Sequence, residues 1–364
     1  MRRSLVTGAT GFTGSHLVRR LAADGESVRV LVRPESTSPK SFPPGVEVVA
    51  GDLTDGATVQ QAVSGVDTVY HLAAVYREAK HPDSHYARVH VDGTGQLLEA
   101  ARANAVQRFV HCSTVGVHGH VSAPPADEEA PYGAGDIYQR TKLAGEQLAR
   151  SYHGRDGMAV TVARPTAIYG PGDTRLLKLF RMIARRRFFF LGSGDIFYHM
   201  VHVDDLVRGL RLLGTSPRAP GEVFILGGAQ YYTLREIACF IADAVGVPHS
   251  WLRLPARPFQ IAGSLCEKVC IPFGIEPPLH RRRVDFYTKS RAFSIAKAWD
   301  LLGYTPTVSL RDGLQATLRW YRANGYIDAV RRNEATAQGR LMSLLAAALA
   351  ASPNVAGIAA MTAL

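Results

Sequence analysis

Close to its start the chain reads Thr7-Gly8-Ala9-Thr10-Gly11-Phe12-Thr13-Gly14. The apolar run Ser4-Leu5-Val6 leads into it, and a helical pattern, Ser15-His16-Leu17-Val18-Arg19-Arg20-Leu21, follows. Strand, tight glycine turn and helix in that order form a cradle. Glycines let backbone N–H groups approach a pyrophosphate at the positive end of the helix. An ordinary turn would need no such context, so the arrangement predicts a dinucleotide site.

Downstream, β-branched runs alternate with helical patterns up to about residue 170. Strands are expected at Ser27–Val32, Val46–Ala50, Thr68–Ala74, Arg108–Ser113 and Ala159–Arg164. A helical stretch from Val91 through Ala100 lies between two of them. Strands separated by crossover helices predict an α/β fold, a doubly wound parallel sheet with helices on both faces. Ligands of such sheets bind outside the carboxyl ends of the strands. From residue 171 the rhythm changes. The aromatic run Phe188-Phe189-Phe190, a strand around Met200–Val203, Asp204-Asp205 capping a helix, and a strand at Glu222–Leu226 are expected there. Residues 1–170 are taken as the nucleotide-binding domain. Residues 171–330 form a smaller mixed α/β lobe interleaved with the end of the main sheet, and 331–364 a tail.

The 364 residues, 46% of them hydrophobic, suffice for a sizeable core. Of four cysteines, Cys266 and Cys270 are spaced for one helix face, and no Cys/His cluster predicts a metal site. A reduced, cytoplasmic setting follows, and no leader is expected ahead of the first strand. The net charge is +11, but the basic residues are dispersed and no nucleic-acid-reading motif accompanies them. Leu341 to Leu364 carries no charged residue. It reads as a helix packed on the body, as a frayed apolar tail or as a peripheral membrane contact, and Pro353 leaves the run before it short for a span.

A second signal is Tyr138-Gln139-Arg140-Thr141-Lys142, in a helical stretch continuing through Leu148. Positions four apart share a helix face, so phenol and ammonium point into one space. A nearby cation favours phenolate, which makes Tyr138 a usable general acid or base. Ser113 and Thr114 close the fifth strand, where a hydroxyl could donate to a carbonyl oxygen or cap the next turn.

With these motifs, together with Gly51-Asp52-Leu53, His71-Leu72-Ala73-Ala74, Arg164-Pro165, Tyr169-Gly170-Pro171 and Val203-Asp204-Asp205, the chain resembles the extended short-chain dehydrogenase/reductases. These are also called the NAD-dependent epimerase/dehydratase family, and the resemblance runs from residue 2 to about 325. It implies a Rossmann-type fold. It also implies a cofactor site of Gly8, Thr10, Gly11, Phe12, Gly14, Asp52, Leu53, Leu72, Ala73, Ala74 and Pro165, completed by Tyr138 and Lys142. Tyr138 would be the acid/base, Lys142 would also hold the nicotinamide ribose, and Thr114 would be the third hydroxyl, with Ser113 as its neighbour and fallback. The family often forms homodimers through two helices. Where it usually carries Asn after the fourth strand this chain has His90, expected as a packing or hydrogen-bonding replacement. Arg33 ends the second strand, where a base selects the 2′-phosphate, with Lys40 in support and Glu35 two positions on. NADP(H) is therefore expected ahead of NAD(H).

Nucleotide-sugar members usually carry Asn and Arg at the positions of Ala167 and Tyr198. Without them a diphosphate is poorly paired, unless Arg281, Arg282 or Arg283 compensates. Aromatic residues of the second half, Phe188 to Phe190, Phe197, Tyr198, Tyr231 and Tyr232, are expected to wall an apolar pocket, though any single one is more simply core. The expectation is a ketone reductase or alcohol dehydrogenase for a hydrophobic, lipid- or sterol-like substrate. The alternatives are a nucleotide-sugar 4-epimerase or dehydratase, and a non-catalytic NADP(H)-binding sensor or scaffold.

Overall fold

The computed structural model describes residues 2–34, 42–75, 82–270 and 287–327. Among them, seven strands form one parallel sheet in the order β10-β6-β5-β4-β1-β2-β3. These are β1 (Arg3–Thr7), β2 (Ser27–Val32), β3 (Glu47–Ala50), β4 (Thr68–His71), β5 (Arg108–Cys112), β6 (Ala159–Pro165) and β10 (Val223–Leu226). Strands covered on both faces read as continuous apolar runs. Accordingly, β4 and β10 are buried at every position. Helices α1 (Phe12–Ala23), α2 (Gly56–Val63), α4 (Gly93–Ala103) and α5 (Ile137–Ser151) make the crossovers. The order reverses between β1 and β4, so a crevice opens at the carboxyl ends of those two strands.

The expected strands fall within a few residues of the observed ones. The expected strand at 222–226 joins the main sheet, parallel to β6 with Val223 opposite Val162. The remaining second half builds β11-β9-β7 and β12-β8 from β7 (Ala167–Tyr169), β8 (Phe189–Leu191), β9 (Phe197–His202), β11 (Tyr231–Thr233) and β12 (Leu252–Leu254). A second core joins them to α6 (Leu177–Ala184), α8 (Leu234–Val245) and the helix Leu310–Ala323.

Two expectations need correction. Asp204 and Asp205 do not cap the helix α7 (Val203–Thr215) but lie in its first turn, and the cap is His202, whose side chain accepts from Asp204 N. Asp205 is fully buried and instead accepts from the backbone N–H groups of Thr307 and Val308, tying α7 to the segment before the last helix. The aromatic run is core rather than pocket wall. Phe188 and Phe190 are buried against Trp251, and Phe189 stacks on Tyr287.

Glu35, Lys40, Arg281 to Arg283 and the tail 331–364 lie outside the described residues. Among the described residues no helix is long and apolar enough to cross a membrane, and no group of three His, Cys, Asp or Glu is placed to hold a metal ion.

Candidate active site

The glycine turn is built by backbone packing that excludes side chains. Gly8 has φ +71, and a Cβ there would lie 2.7 Å from Ala73 N. A Cβ on Gly14 would lie 2.2 Å from Gly8 O. The turn therefore rests directly on the chain leaving β4. Gly11 occupies the N-cap of α1 and offers no side-chain cap, which leaves first-turn N–H groups free to meet an anion. An uncapped helix end behind a turn that admits no Cβ at Gly8 or Gly14 fits a dinucleotide pyrophosphate.

At the other end of this crevice, Asp52 accepts from Thr54 N and Thr54 Oγ1 at 2.8 and 2.7 Å. Partial burial pushes its carboxyl up, but the Thr54 donors and the nearby Arg33 and Arg88 charges outweigh that and hold it below the usual range. Arg33 is exposed immediately after β2, and Leu53 packs beneath Gly93.

Helix α5 carries the second cluster. Asp136 caps it by accepting from Gln139 N at 2.8 Å, so the helix begins just before Tyr138. Lys142, one turn on, is buried, and its Nζ donates to Cys112 O at 2.6 Å. Burial holds its ammonium below the ordinary lysine range, partly offset by Cys112 and Glu146. One further turn along, fully buried Glu146 accepts from Arg164 and, at 2.5 Å, from Ser113 Oγ. Arg164 also donates to Glu128 O and Tyr132 OH, so one guanidinium ties β6, α5 and the loop between β5 and α5.

The two hydroxyls thus separate. That of Ser113 is turned inward and occupied by Glu146. Thr114 Oγ1 accepts from Gly116 N at 3.0 Å, which leaves its own proton free to donate.

His90 lies in a π-helical turn, Arg88–Asp92, between α3 (Asp83–Ala87) and α4. Its Nε2 accepts from Val75 N at 3.0 Å, so Nδ1 carries the proton and donates to Thr141 Oγ1 at 2.8 Å. Burial, reinforced by Lys142, pushes its pKa down to about 3, so the ring is neutral. It packs edge-on to Tyr138 with centroids 5.6 Å apart. A parallel chain runs from Thr7 Oγ1 to His71 Nδ1 and from His71 Nε2 to Thr94 Oγ1, which donates to His90 O. These two neutral histidines brace the end of β1, the chain leaving β4 and helix α5 against one another.

A cavity of about 540 Å³ lies where these parts meet. It is lined by Gly8, Gly11, Phe12 and Gly14, by Leu72 and Ala74, and by Ser113, Thr114, Tyr138, Lys142 and Pro165. Five predicted positions, Thr10, Arg33, Asp52, Leu53 and Ala73, are not in this lining. Ala73 supports the turn from behind, and Asp52 with Arg33 sits at the strand ends toward β2 and β3. Beyond Thr114 the wall is Ala167, Ile168, Tyr198, His199, Arg291 and Phe293. Of the predicted aromatic wall only Tyr198 faces this cavity. Tyr232 lines a separate space of about 270 Å³.

Sequence reasoning missed Glu146, Arg164 as its partner, and Arg291. The first two carry a weak signal, an acid on the same helix face as Lys142. Arg291 carries none, because only pairing across distant segments brings it here.

The family model for the NAD dependent epimerase/dehydratase family matches residues 4–227. Over 340 residues the chain is 32% identical to a 3 beta-hydroxysteroid dehydrogenase/Delta 5-->4-isomerase of Mycobacterium tuberculosis, covering 88% of this chain and 90% of that protein. Over 325 residues it is 31% identical to the 4-hydroxy-2-methyl-3-oxo-4-farnesyl-3,4-dihydroquinoline-1-oxide ketoreductase of Stigmatella aurantiaca, covering 86% and 95%. Among solved structures it is similar to the dTDP-glucose 4,6-dehydratase DesIV of Streptomyces venezuelae with NAD bound. The TM-score there is 0.70 at 28% identity, covering 91% of this chain and 100% of that one. The chain is an enzyme of the NAD-dependent epimerase/dehydratase family, one of the extended short-chain dehydrogenase/reductases.

Proposed function

We propose that this enzyme is a ketone reductase, or in reverse an alcohol dehydrogenase, for a hydrophobic molecule. The observation that carries this reading is the wall beyond Thr114. There Ala167 and Tyr198 stand where nucleotide-sugar members usually carry an amide and a guanidinium, beside Ile168 and Phe293, and Arg291 leaves that stretch of wall one cation, short of what a dianionic diphosphate needs. The names of the steroid dehydrogenase and of the farnesyl-quinoline ketoreductase agree with an apolar substrate. The bound nicotinamide supplies or accepts the hydride.

The chain's own residues do the rest. Thr114 donates a hydrogen bond to the carbonyl oxygen, keeping its own proton, and fixes that oxygen's direction. Tyr138 gives that oxygen its proton. Lys142, desolvated and held by Cys112 O, keeps positive charge on the same helix face as the phenol, which favours phenolate after transfer. Ser113 is a positioning residue, locked to Glu146. The glycine turn would hold the pyrophosphate. Arg33, exposed after β2, would meet a 2′-phosphate, so NADP(H) is the preferred cofactor in this reading.

The similarity to DesIV supports a second reading, a sugar dehydratase or epimerase that recycles its NAD. Nicotinamide absorbance separates the two. With NADPH and a panel of steroid and long-chain ketones, the first reading predicts steady consumption. Conversion of dTDP-glucose or UDP-glucose without net consumption would replace it with the second.

A further inference from the structure

Three cations line the main cavity among the described residues: Lys142, Arg175 and Arg291. Two are committed. Lys142 Nζ donates to Cys112 O. Arg175 Nε donates to Asp173 Oδ1 at 2.6 Å, and its guanidinium lies over the Phe12 ring at the glycine turn, 5.4 Å from the centroid. The guanidinium of Arg291 has no hydrogen bond or ion pair among the described residues. Asp173, the acidic residue in the same lining, is already held by Arg175.

Arg291 is nevertheless rigidly mounted. Its N donates to Phe197 O at 2.7 Å, and its O accepts from His199 N at 3.0 Å, which fixes it beside β9. On the other edge, Val121 N donates to Ser290 O, Ala126 N to Ala292 O, and Ser294 N to Ala126 O. The strip 290–294 is therefore clamped between β9 and the loop that follows Thr114. Phe293, two positions along the extended strip and so on the same side, shares a small hydrophobic cluster with Val115, the neighbour of Thr114. Arg291 thus faces the carbonyl end of the cavity, whereas Arg175 faces the cofactor end. A preorganised, half-buried guanidinium without a carboxylate partner invites an anion, and its planar fork matches a carboxylate. A single free cation balances a single negative charge.

Resting on the ketone-reductase reading, we propose that the substrate is amphipathic, an apolar ketone bearing a carboxylate, and that Arg291 is the specificity-determining residue that holds that carboxylate. The test uses straight-chain oxo acids, with the ketone at successive distances from the carboxylate, and their methyl esters. Binding to the NADP⁺-loaded enzyme is measured by calorimetry, and turnover by NADPH absorbance. At least one acid should bind about tenfold or more tighter than its ester. Arg291→Gln should erase that preference, and Arg291→Lys should restore part of it. If no acid outbinds its ester, or if the preference survives in Arg291→Gln, the inference is overturned even where ketones are reduced. If acids bind through Arg291 but no ketone is reduced, the anion site stands and the reductase reading fails.

Discussion

The glycine turn and the strip around Arg291 face one cavity, yet they are built in opposite ways. The turn uses backbone, and its residues are consecutive. The strip offers a side chain, and its placement depends on hydrogen bonds to β9 and to the loop after Thr114. Where recognition is made by backbone, glycine is demanded by space: a Cβ on Gly14 would lie 2.2 Å from Gly8 O. Where it is made by a side chain on a long-range strip, no local pattern marks it.

Between them stands the Glu146–Arg164 pair, which joins α5 to β6 and orients Ser113. Removing one partner of a buried pair leaves an uncompensated charge. Glu146→Ala should cost about 3–5 kcal/mol in urea unfolding and damage both halves together. An effect confined to turnover, with stability unchanged, would show that the halves are mechanically independent.

Gly14→Ala should injure the cofactor half alone. Overpacking against Gly8 O is expected to cost about 1–3 kcal/mol. Cofactor affinity should fall, while oxo-acid binding sites beyond Thr114 keep their geometry. Unchanged cofactor affinity would mean that the turn yields more easily than its packing implies.

The bracing histidines give a pH signature. His90 is held at about 3 in the fold against an ordinary 6.5. Between those values the unfolded chain binds more protons, so stability rises with pH across that window and is lost as pH falls below about 6.5. At pH 5 the loss is ~2 kcal/mol for this one residue. His71, also pushed down to about 3 by burial, adds to it, though not additively, because the two charges would repel. His90→Asn should flatten the dependence of the urea midpoint on pH between 5 and 6.5. An unaltered slope would remove His90 from the brace.

The smallest effect concerns the cofactor's distal end. Arg33→Ser should cost about tenfold in NADPH preference over NADH, the loss of one charge-assisted contact. Equal KM values for the two cofactors in the unaltered enzyme would already refute the role given to Arg33.

Much of this was legible in the sequence because it is local. The period of apolar runs marks the parallel sheet, and the four-residue spacing of Tyr138 and Lys142 puts both in the cavity lining. What was illegible is tertiary. Phe188 and Phe190 look like pocket residues by composition, but they alternate into a core with Trp251. Asp205 looks like a helix cap, but its carboxylate serves backbone donors a hundred residues on. By local pattern Ser113 and Thr114 are alike and only the family resemblance favours Thr114; the buried Glu146, which holds the Ser113 hydroxyl, is the physical difference between them. No local pattern marks the partners of His90, which are seen only once Val75 and Thr141 are in place.

In the reductase reading proposed above, this cavity carries out net hydride transfer with Tyr138 as the proton donor. The most direct measurement is the ratio of NADPH consumed to alcohol formed from a long-chain ketone, in the unaltered enzyme and in Tyr138→Phe. A one-to-one ratio is expected, with a rate loss of about 10²–10⁴-fold in the variant and cofactor binding retained. Turnover undiminished in Tyr138→Phe, or product formed with no net NADPH consumed, would contradict it.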